Sequence, residues 1–163
     1  MAGRVRVGIG YDVHPFGPGR RLVLGGVVVP HPRGLEGHSD ADVLTHAVMD
    51  AVLGACGLPD IGTLFPSTDP RYEGADSLNL LDQVLDRARG AGWRVAQVDC
   101  VVVAQQPLLA EYLPRMRETL AWRMGLPPDA VGVKATTPEG LGALGRGEGI
   151  AALAVALVEP LEA

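Results

Sequence analysis

The sequence predicts an α+β fold: one domain over residues 1–163, with a mixed sheet carrying helices on one face. Three observations predict it. Residues 4–13 alternate with period two, three later stretches repeat apolar residues at helical spacing, and an unbroken apolar run closes the chain at 150–158. The resulting order is strand, hairpin, helix, helix, strand, helix, strand, strand. Those helices suffice for one face of the sheet, so the other face calls for cover from a second subunit.

In the first element Val5, Val7, Ile9, Tyr11 and Val13 share one side of an extended chain, and Asp12 and His14 share the other. Arg21 to Pro30 reads as two short strands joined at Gly25-Gly26, a tight hairpin. Beyond Pro30 and Pro32 the chain turns toward a helix in HSDADVLTHAVMDAVLGACG. Ser39 or Asp40 caps it, Asp42 sits in its first turn, and Val43, Ala47, Val48, Ala51 and Leu53 form its apolar stripe. Asp42, His46 and Asp50 fall four apart on a separate face.

Residues 58–76 hold Pro, Gly, Ser and Asp at a density that breaks both periods, so a long loop of functional type is expected there. Ser77 to Arg89 is a second helix, with Leu80, Leu81, Val84, Leu85 and Ala88 inward and Gly90 near its end. A strand follows from Trp93 to about Ala104, and a third helix begins near Pro114 and stops at Gly125. Val131 to Ala135 is a short strand and Glu139 to Gly149 a glycine-rich loop. The closing run suits a strand buried on both faces, although its periodicity alone also admits a helix.

Composition narrows the function. Hydrophobic residues make up 47% of the chain, enough for an ordinary core, while aromatic residues are only 4%. Few rings remain for stacking bases, and a net charge of -5 offers no basic face to a phosphate backbone, so nucleic acid is not an expected partner. A small polyanionic substrate would need metal ions to hold it. Cys56 and Cys100 lack the count and spacing of a disulfide framework or a cysteine-rich zinc site and read as reduced, structural thiols. No secretory signal or membrane-spanning stretch is evident, and a cytoplasmic location is expected.

Asp12-x-His14 places a carboxylate and an imidazole on one side of a strand end, where both can reach one cation. Alone, such a pair is more often simply hydrogen-bonded, and a histidine such as His46 on a polar helix stripe is more often solvated. Together the three would leave a tetrahedral ion with one open position, the arrangement of a catalytic zinc site. Asp50 would either orient an imidazole, bind a substrate hydroxyl, or be a plain surface carboxylate. His38 would support an anion near the helix start or remain a loop histidine. In VKATTPEG, 133–140, hydroxyls end a strand and Glu139 follows; the segment is either a phosphate and magnesium site or a polar turn. The glycines at 140, 142, 145, 147 and 149 match neither the dinucleotide fingerprint nor the P-loop.

Taken together, GIGYDVH at 8–14, HSDADVLTHAVMDAVLGA at 38–55, DIGTLFPSTDP at 60–70, KATTPEGLG at 134–142 and GRGEGIA at 145–151 resemble one family. It is the 2-C-methyl-D-erythritol 2,4-cyclodiphosphate synthases of the non-mevalonate isoprenoid pathway. The resemblance implies a homotrimer whose sheets pack around an axis, with active sites between subunits. It implies one zinc per subunit on Asp12, His14 and His46, and a second ion, magnesium or manganese, held by Glu139 on the substrate diphosphate. It further implies transition-state roles for His38 and Thr137. Ser39, Asp50, Asp60, Ile61 and Gly62, together with Phe65, Pro66, Ser67, Thr68 and Asp69, match the part that holds methylerythritol phosphate, and Arg146 matches a phosphate-proximal position.

The cytidine pocket is matched by Ala104, Gln105, Gln106, Pro107, Leu108, Leu109 and Ala110, with Ala135, Thr136 and Thr137 beside them. Departures from the family pattern are Leu108, where a lysine is usual, and Pro138. The implied reaction closes a cyclic diphosphate with release of CMP. Alternative readings are a zinc phosphohydrolase and a non-catalytic trimeric binding module.

Overall fold

Alternation in the first strand continues past the predicted span: β1 runs Arg6–Gly17 in the computed structural model, which describes residues 4–161. The hairpin is present as β2, Leu22–Leu24, and β3, Val27–Val29, with Gly25 and Gly26 both at positive φ, the conformation a two-residue turn demands. The chain after Pro32 first adds a short strand, β4, Gly34–Leu35, against the end of β1 before entering the helix.

Helix α1 spans Val43–Cys56 and is capped by Asp42, not by Ser39 or Asp40. The reason is packing. The Asp42 carboxylate is fully buried and accepts from Thr45 N at 3.0 Å, Thr45 Oγ1 at 2.7 Å, and Gly25 N and Gly26 N at 2.8 Å each. It therefore caps the helix and satisfies the hairpin's turn amides at once. Within the expected 58–76 loop lie a one-turn helix, α2, Ile61–Leu64, capped by Asp60, and a 3-10 turn at Pro70–Tyr72.

The remaining elements follow the sequence closely. Helix α3 is Ser77–Gly90, β5 is Trp93–Val103, α4 is Leu113–Met124 ending at Gly125, and β6 is Val131–Thr136. A short helix, α5, Gly142–Gly145, lies inside the glycine-rich loop, and β7 is Gly149–Pro160. The main sheet has the order β4-β1-β7-β5-β6, with β5 and β6 parallel and the other pairs antiparallel, a mixed sheet as expected. Helix α1 packs across β1 and β7, with α3 against β5 and α4 against β6. No helix among the described residues is long and apolar enough to cross a membrane.

The opposite face is bare. Val7, Ile9 and Tyr11 are 63%, 71% and 56% exposed, and their register neighbours on β7 are Leu157, Val155 and Leu153. The closing strand is therefore buried by its own chain on one face only, with Val155 exposed. Its unbroken apolar run fills the helix-covered face with alanines and contributes leucine and valine to the open one.

On the covered face β1 carries Gly8 and Gly10 because α1 lies against its backbone. A Cβ on Gly10 would stand 1.9 Å from Ala47 O, and one on Gly8 would stand 2.0 Å from Ala51 O. Gly90, by contrast, has open space around a built Cβ. We therefore expect Gly10→Ala to lower stability by at least about 1–3 kcal/mol through overpacking against backbone, and Gly90→Ala to be neutral or slightly stabilising. Urea unfolding of the two variants checks this; equal effects would refute the close approach.

Candidate metal centre and flanking cavities

Asp12 and His14 sit on the covered side of β1, two residues beyond Gly10, and His46 projects from the first turns of α1 toward them. The fourfold spacing that puts His46 between Asp42 and Asp50 directs it at the strand end rather than at solvent; it is 8% exposed. Asp12 Oδ2 lies 2.8 Å from His14 Nε2 and 3.0 Å from His46 Nδ1, and those two nitrogens are 3.3 Å apart. Three donors of a tetrahedral ion, each about 2.0–2.2 Å from it, lie about 3.3 Å from one another. The observed triangle fits such an ion with an opening of a few tenths of an ångström, and its two nitrogens and one oxygen suit zinc.

Burial opposes the charge on Asp12, but hydrogen bonds from His14 and His46 and the positive charge of the two rings outweigh it, bringing the carboxyl down to about 2. Burial likewise opposes a charge on His46, yet the hydrogen bond to Asp12 and the charges of Asp12, Asp42 and Asp40 hold it above the usual imidazole value. Its other ring nitrogen, Nε2, is hydrogen-bonded to Ser77 Oγ at 2.9 Å and Ser39 Oγ at 3.1 Å.

The group opens into a cavity of about 370 Å³ lined also by His38, Ser39, Asp50, Asp60, Ile61 and Gly62, with Phe65 and Ser67 further round. Asp50 does not touch the imidazole. One of its oxygens accepts from Ile61 N at 2.9 Å, tethering α2 to α1, and burial raises its pKa. Phe65 packs edge-on against Tyr72 with ring centroids 5.2 Å apart. His38 Nε2 donates to Asp69 O at 2.8 Å, fixing the 58–76 segment over the cavity. Pro66, Thr68 and Asp69 lie in that segment without lining the cavity, and the Asp69 carboxylate is paired with Arg71.

A second cavity, about 410 Å³, lies at the other side of the sheet end. Ala104, Pro107, Leu108, Leu109 and Ala110 line it with Ala135, Thr136, Thr137 and Glu139. Gln105 and Gln106 turn elsewhere, lining a third cavity of about 390 Å³ with Arg33 and Arg146. Gln105 Oε1 nonetheless accepts from Gly140 N at 2.9 Å and so ties the two loops together. Glu139 is held at φ 56, a left-handed conformation that costs a non-glycine residue about 1–3 kcal/mol and is found preferentially at functional sites. Arg146 is paired with Glu148 at 2.6 Å.

The two principal cavities do not meet within one chain. Asp12 registers with Ala152 on β7, then Val102 on β5 and Ala135 on β6, so two to three strand spacings, about 9–14 Å, separate the metal group from the strand ends that line the second cavity. Sequence reasoning missed Ser77, Asp40, Met49, Tyr72 and Leu80 as neighbours of this site. Met49 is there by helical spacing, three residues beyond His46 on α1, whereas tertiary folding brings the α3 residues, across separations such as the 31 residues between His46 and Ser77. The two thiols are buried and free, and burial pushes Cys100 up to about 12, consistent with inert structural cysteines.

A family model described as the YgbB family matches residues 5–159. The chain is 55% identical over 159 residues to a 2-C-methyl-D-erythritol 2,4-cyclodiphosphate synthase of Moorella thermoacetica, covering 98% of each chain. It is 56% identical over 155 residues to the Geobacter sulfurreducens protein of the same name, covering 95% of this chain and 99% of that one. Among solved structures, the bifunctional IspDF of Campylobacter jejuni superposes with a TM-score of 0.94 at 41% identity, covering 98% of this chain and 43% of that larger one. A CDP-bound 2C-methyl-D-erythritol-2,4-cyclodiphosphate synthase superposes with a TM-score of 0.87 at 38% identity, over 94% of this chain and 100% of that one.

Replacing one of the three donors tests the metal group itself. His46→Ala is expected to keep the parent circular dichroism while zinc affinity, measured by competition with a chromogenic chelator, falls by more than about 100-fold. Stoichiometric zinc retained by that variant would show that the ion binds elsewhere.

Proposed function

The chain belongs to the YgbB family, and from that membership we propose that it is a metal-dependent cyclising lyase. It converts 4-diphosphocytidyl-2-C-methyl-D-erythritol 2-phosphate to 2-C-methyl-D-erythritol 2,4-cyclodiphosphate and CMP. The observation that carries this reading is the Asp12, His14 and His46 group facing a polar cavity, in a chain that matches synthases of that name along nearly its whole length.

In the reaction an oxygen of the 2-phosphate attacks the β-phosphorus. A phosphorus–oxygen bond forms there as the bond from the β-phosphorus to the bridging oxygen breaks, and that oxygen leaves with its electron pair on CMP. A phosphate monoester has a second pKa of about 6, so the nucleophile is already an anion and needs no side-chain base. The protein's task is to bend a flexible chain into a ring and to hold two anions together.

Asp12, His14 and His46 would hold zinc, and Glu139 with the phosphates a magnesium or manganese ion. Bound metal would supply Lewis-acid stabilisation of charge on the phosphate oxygens. Asp50, with one carboxylate oxygen committed to Ile61 N, has the other free for the methylerythritol hydroxyls. Ser39, Asp60, Ile61, Gly62 and Phe65 to Asp69 shape that end of the site, with His38 beside it. Ala104, Pro107 to Ala110 and Ala135 to Thr137 take the cytidine, with Gln105 and Gln106 bracing the same loop from the neighbouring cavity, Thr137 near the reacting diphosphate and Arg146 toward the phosphates.

The separation of roughly 9–14 Å between the metal group and the strand ends of the second cavity in one chain supports a site shared by two subunits, each supplying one end. The bare apolar face of β1 and β7 supports the homotrimer in which such sharing arises. A cytoplasmic location belongs to the same reading.

Incubation of the zinc- and magnesium-loaded protein with the diphosphocytidyl substrate, followed by phosphorus NMR, should show CMP and a cyclic diphosphate in equal amounts. Chelation should abolish turnover and metal should restore it. Inorganic phosphate as the product would instead identify a zinc phosphohydrolase, and no turnover by the fully loaded protein would identify a binding module.

A further inference from the structure

Beyond the three metal donors, the buried edge of His46 meets a chain of polar groups that the reaction does not use. His46 Nε2 contacts Ser77 Oγ at 2.9 Å. Ser77 is completely buried at the first turn of α3, and its hydroxyl donates in turn to Asp40 Oδ1. Asp40 Oδ2 accepts from Ser77 N at 3.1 Å, and Asp40 Oδ1 also accepts from Asp42 N at 3.1 Å. The carboxylate thus grips Ser77 at both its amide and its hydroxyl.

The direction of the chain follows from proton counting. An ionised carboxylate only accepts, so the single Ser77 hydroxyl proton points at Asp40 and a lone pair points at His46. Nε2 must then carry a ring proton, so that when a cation replaces the Nδ1 proton donated to Asp12, the lone pair left on Nδ1 faces the ion. Nδ1 is the nitrogen that faces Asp12 Oδ2 and His14 Nε2. Ser39 Oγ, 3.1 Å from the same Nε2, accepts from Ala41 N at 3.3 Å and can share the ring proton without reversing this order.

We propose that Asp40 and Ser77 are positioning residues for the metal centre: their hydrogen-bond chain fixes His46 in the tautomer and orientation that present Nδ1 to the ion. The proposal rests on the metal-centre reading above. It also gives the start of α3 a function, since the element that carries Ser77 contributes no residue to the triangle itself.

The test uses the full-length protein with Ser77→Ala and Asp40→Asn. Zinc affinity is read by chelator competition, the visible spectrum of the cobalt-substituted centre reports ligand geometry, and thermal unfolding of the chelator-treated proteins reports the fold. Ser77→Ala should unfold cooperatively and bind zinc about 10–100-fold more weakly, with an altered cobalt spectrum. Asp40→Asn removes the charge that holds the Ser77 proton and sets an amide N–H group against a backbone N–H, whichever way the amide is turned, so its grip on Ser77 should loosen and zinc binding weaken. Nitrogen NMR of the zinc-loaded protein should therefore show His46 protonated at Nε2 in the parent, with that resonance shifted in both variants. Zinc affinity within twofold of the parent in both folded variants, or an unshifted Nε2–H resonance, would overturn the proposal. A parent that takes up no zinc would sink the metal-centre reading itself, an outcome distinct from a parent that binds zinc and variants that bind it equally well.

Discussion

The structure depends on a contact between two backbones. Helix α1 lies against β1 where the strand has no side chains, and the Ala47 and Ala51 carbonyls occupy the space that Cβ atoms on Gly10 and Gly8 would need. Close approach at these points sets the distance from β1 to α1 within tenths of an ångström. Two residues further along the strand, that distance becomes the separation between Asp12 and His46. Cores pack at crystal-like density and transmit such constraints rather than absorbing them. The Asp42 carboxylate fixes the remaining freedom by pinning the start of α1 to the hairpin turn, so the helix can neither slide nor rotate without exposing buried amides.

A rigid strand and a rigid helix can then afford an electrostatically crowded junction. Two imidazoles share one carboxylate oxygen, in a setting where burial penalises every charge. The arrangement persists because each polar atom has a partner: among the described residues no buried side-chain nitrogen or oxygen lacks one. Convergent donors held ahead of time make a strong cation site, since the ordering cost is met by folding rather than by binding. The cavity beyond them is shaped by mobile-looking sequence made firm through small devices, the Asp60 cap, the Asp50 tether and the His38 bond to Asp69.

Much of this was legible in the sequence, for reasons that differ by element. The alternation of Val5 to Val13 correctly divided β1 into an apolar face and a face carrying Asp12 and His14, because side chains in a strand alternate without exception short of a bulge. The Gly25-Gly26 turn and the ends of α3 and α4 were marked by residues whose backbone preferences act locally. What escaped was non-local. Asp42 reads from the sequence as two or three residues inside the helix because the hairpin partners that make it the cap lie 16 and 17 residues away. The closing apolar run has one face buried by its own helices and Val155 exposed on the other, the face that the sequence assigns to a second subunit; the run itself does not tell which face meets which partner. Ser77 read as a helix start, and nothing in its neighbourhood signals that His46 lies behind it.

The proposed reaction requires three side chains that converge on one cation. Anomalous diffraction at the zinc edge from crystals grown with the metal tests that claim most directly. One peak should appear about 2 Å from Asp12 Oδ2, His14 Nε2 and His46 Nδ1 together, with a fourth position facing the cavity. Side chains turned away from one another, with no peak between them in excess zinc, would contradict it.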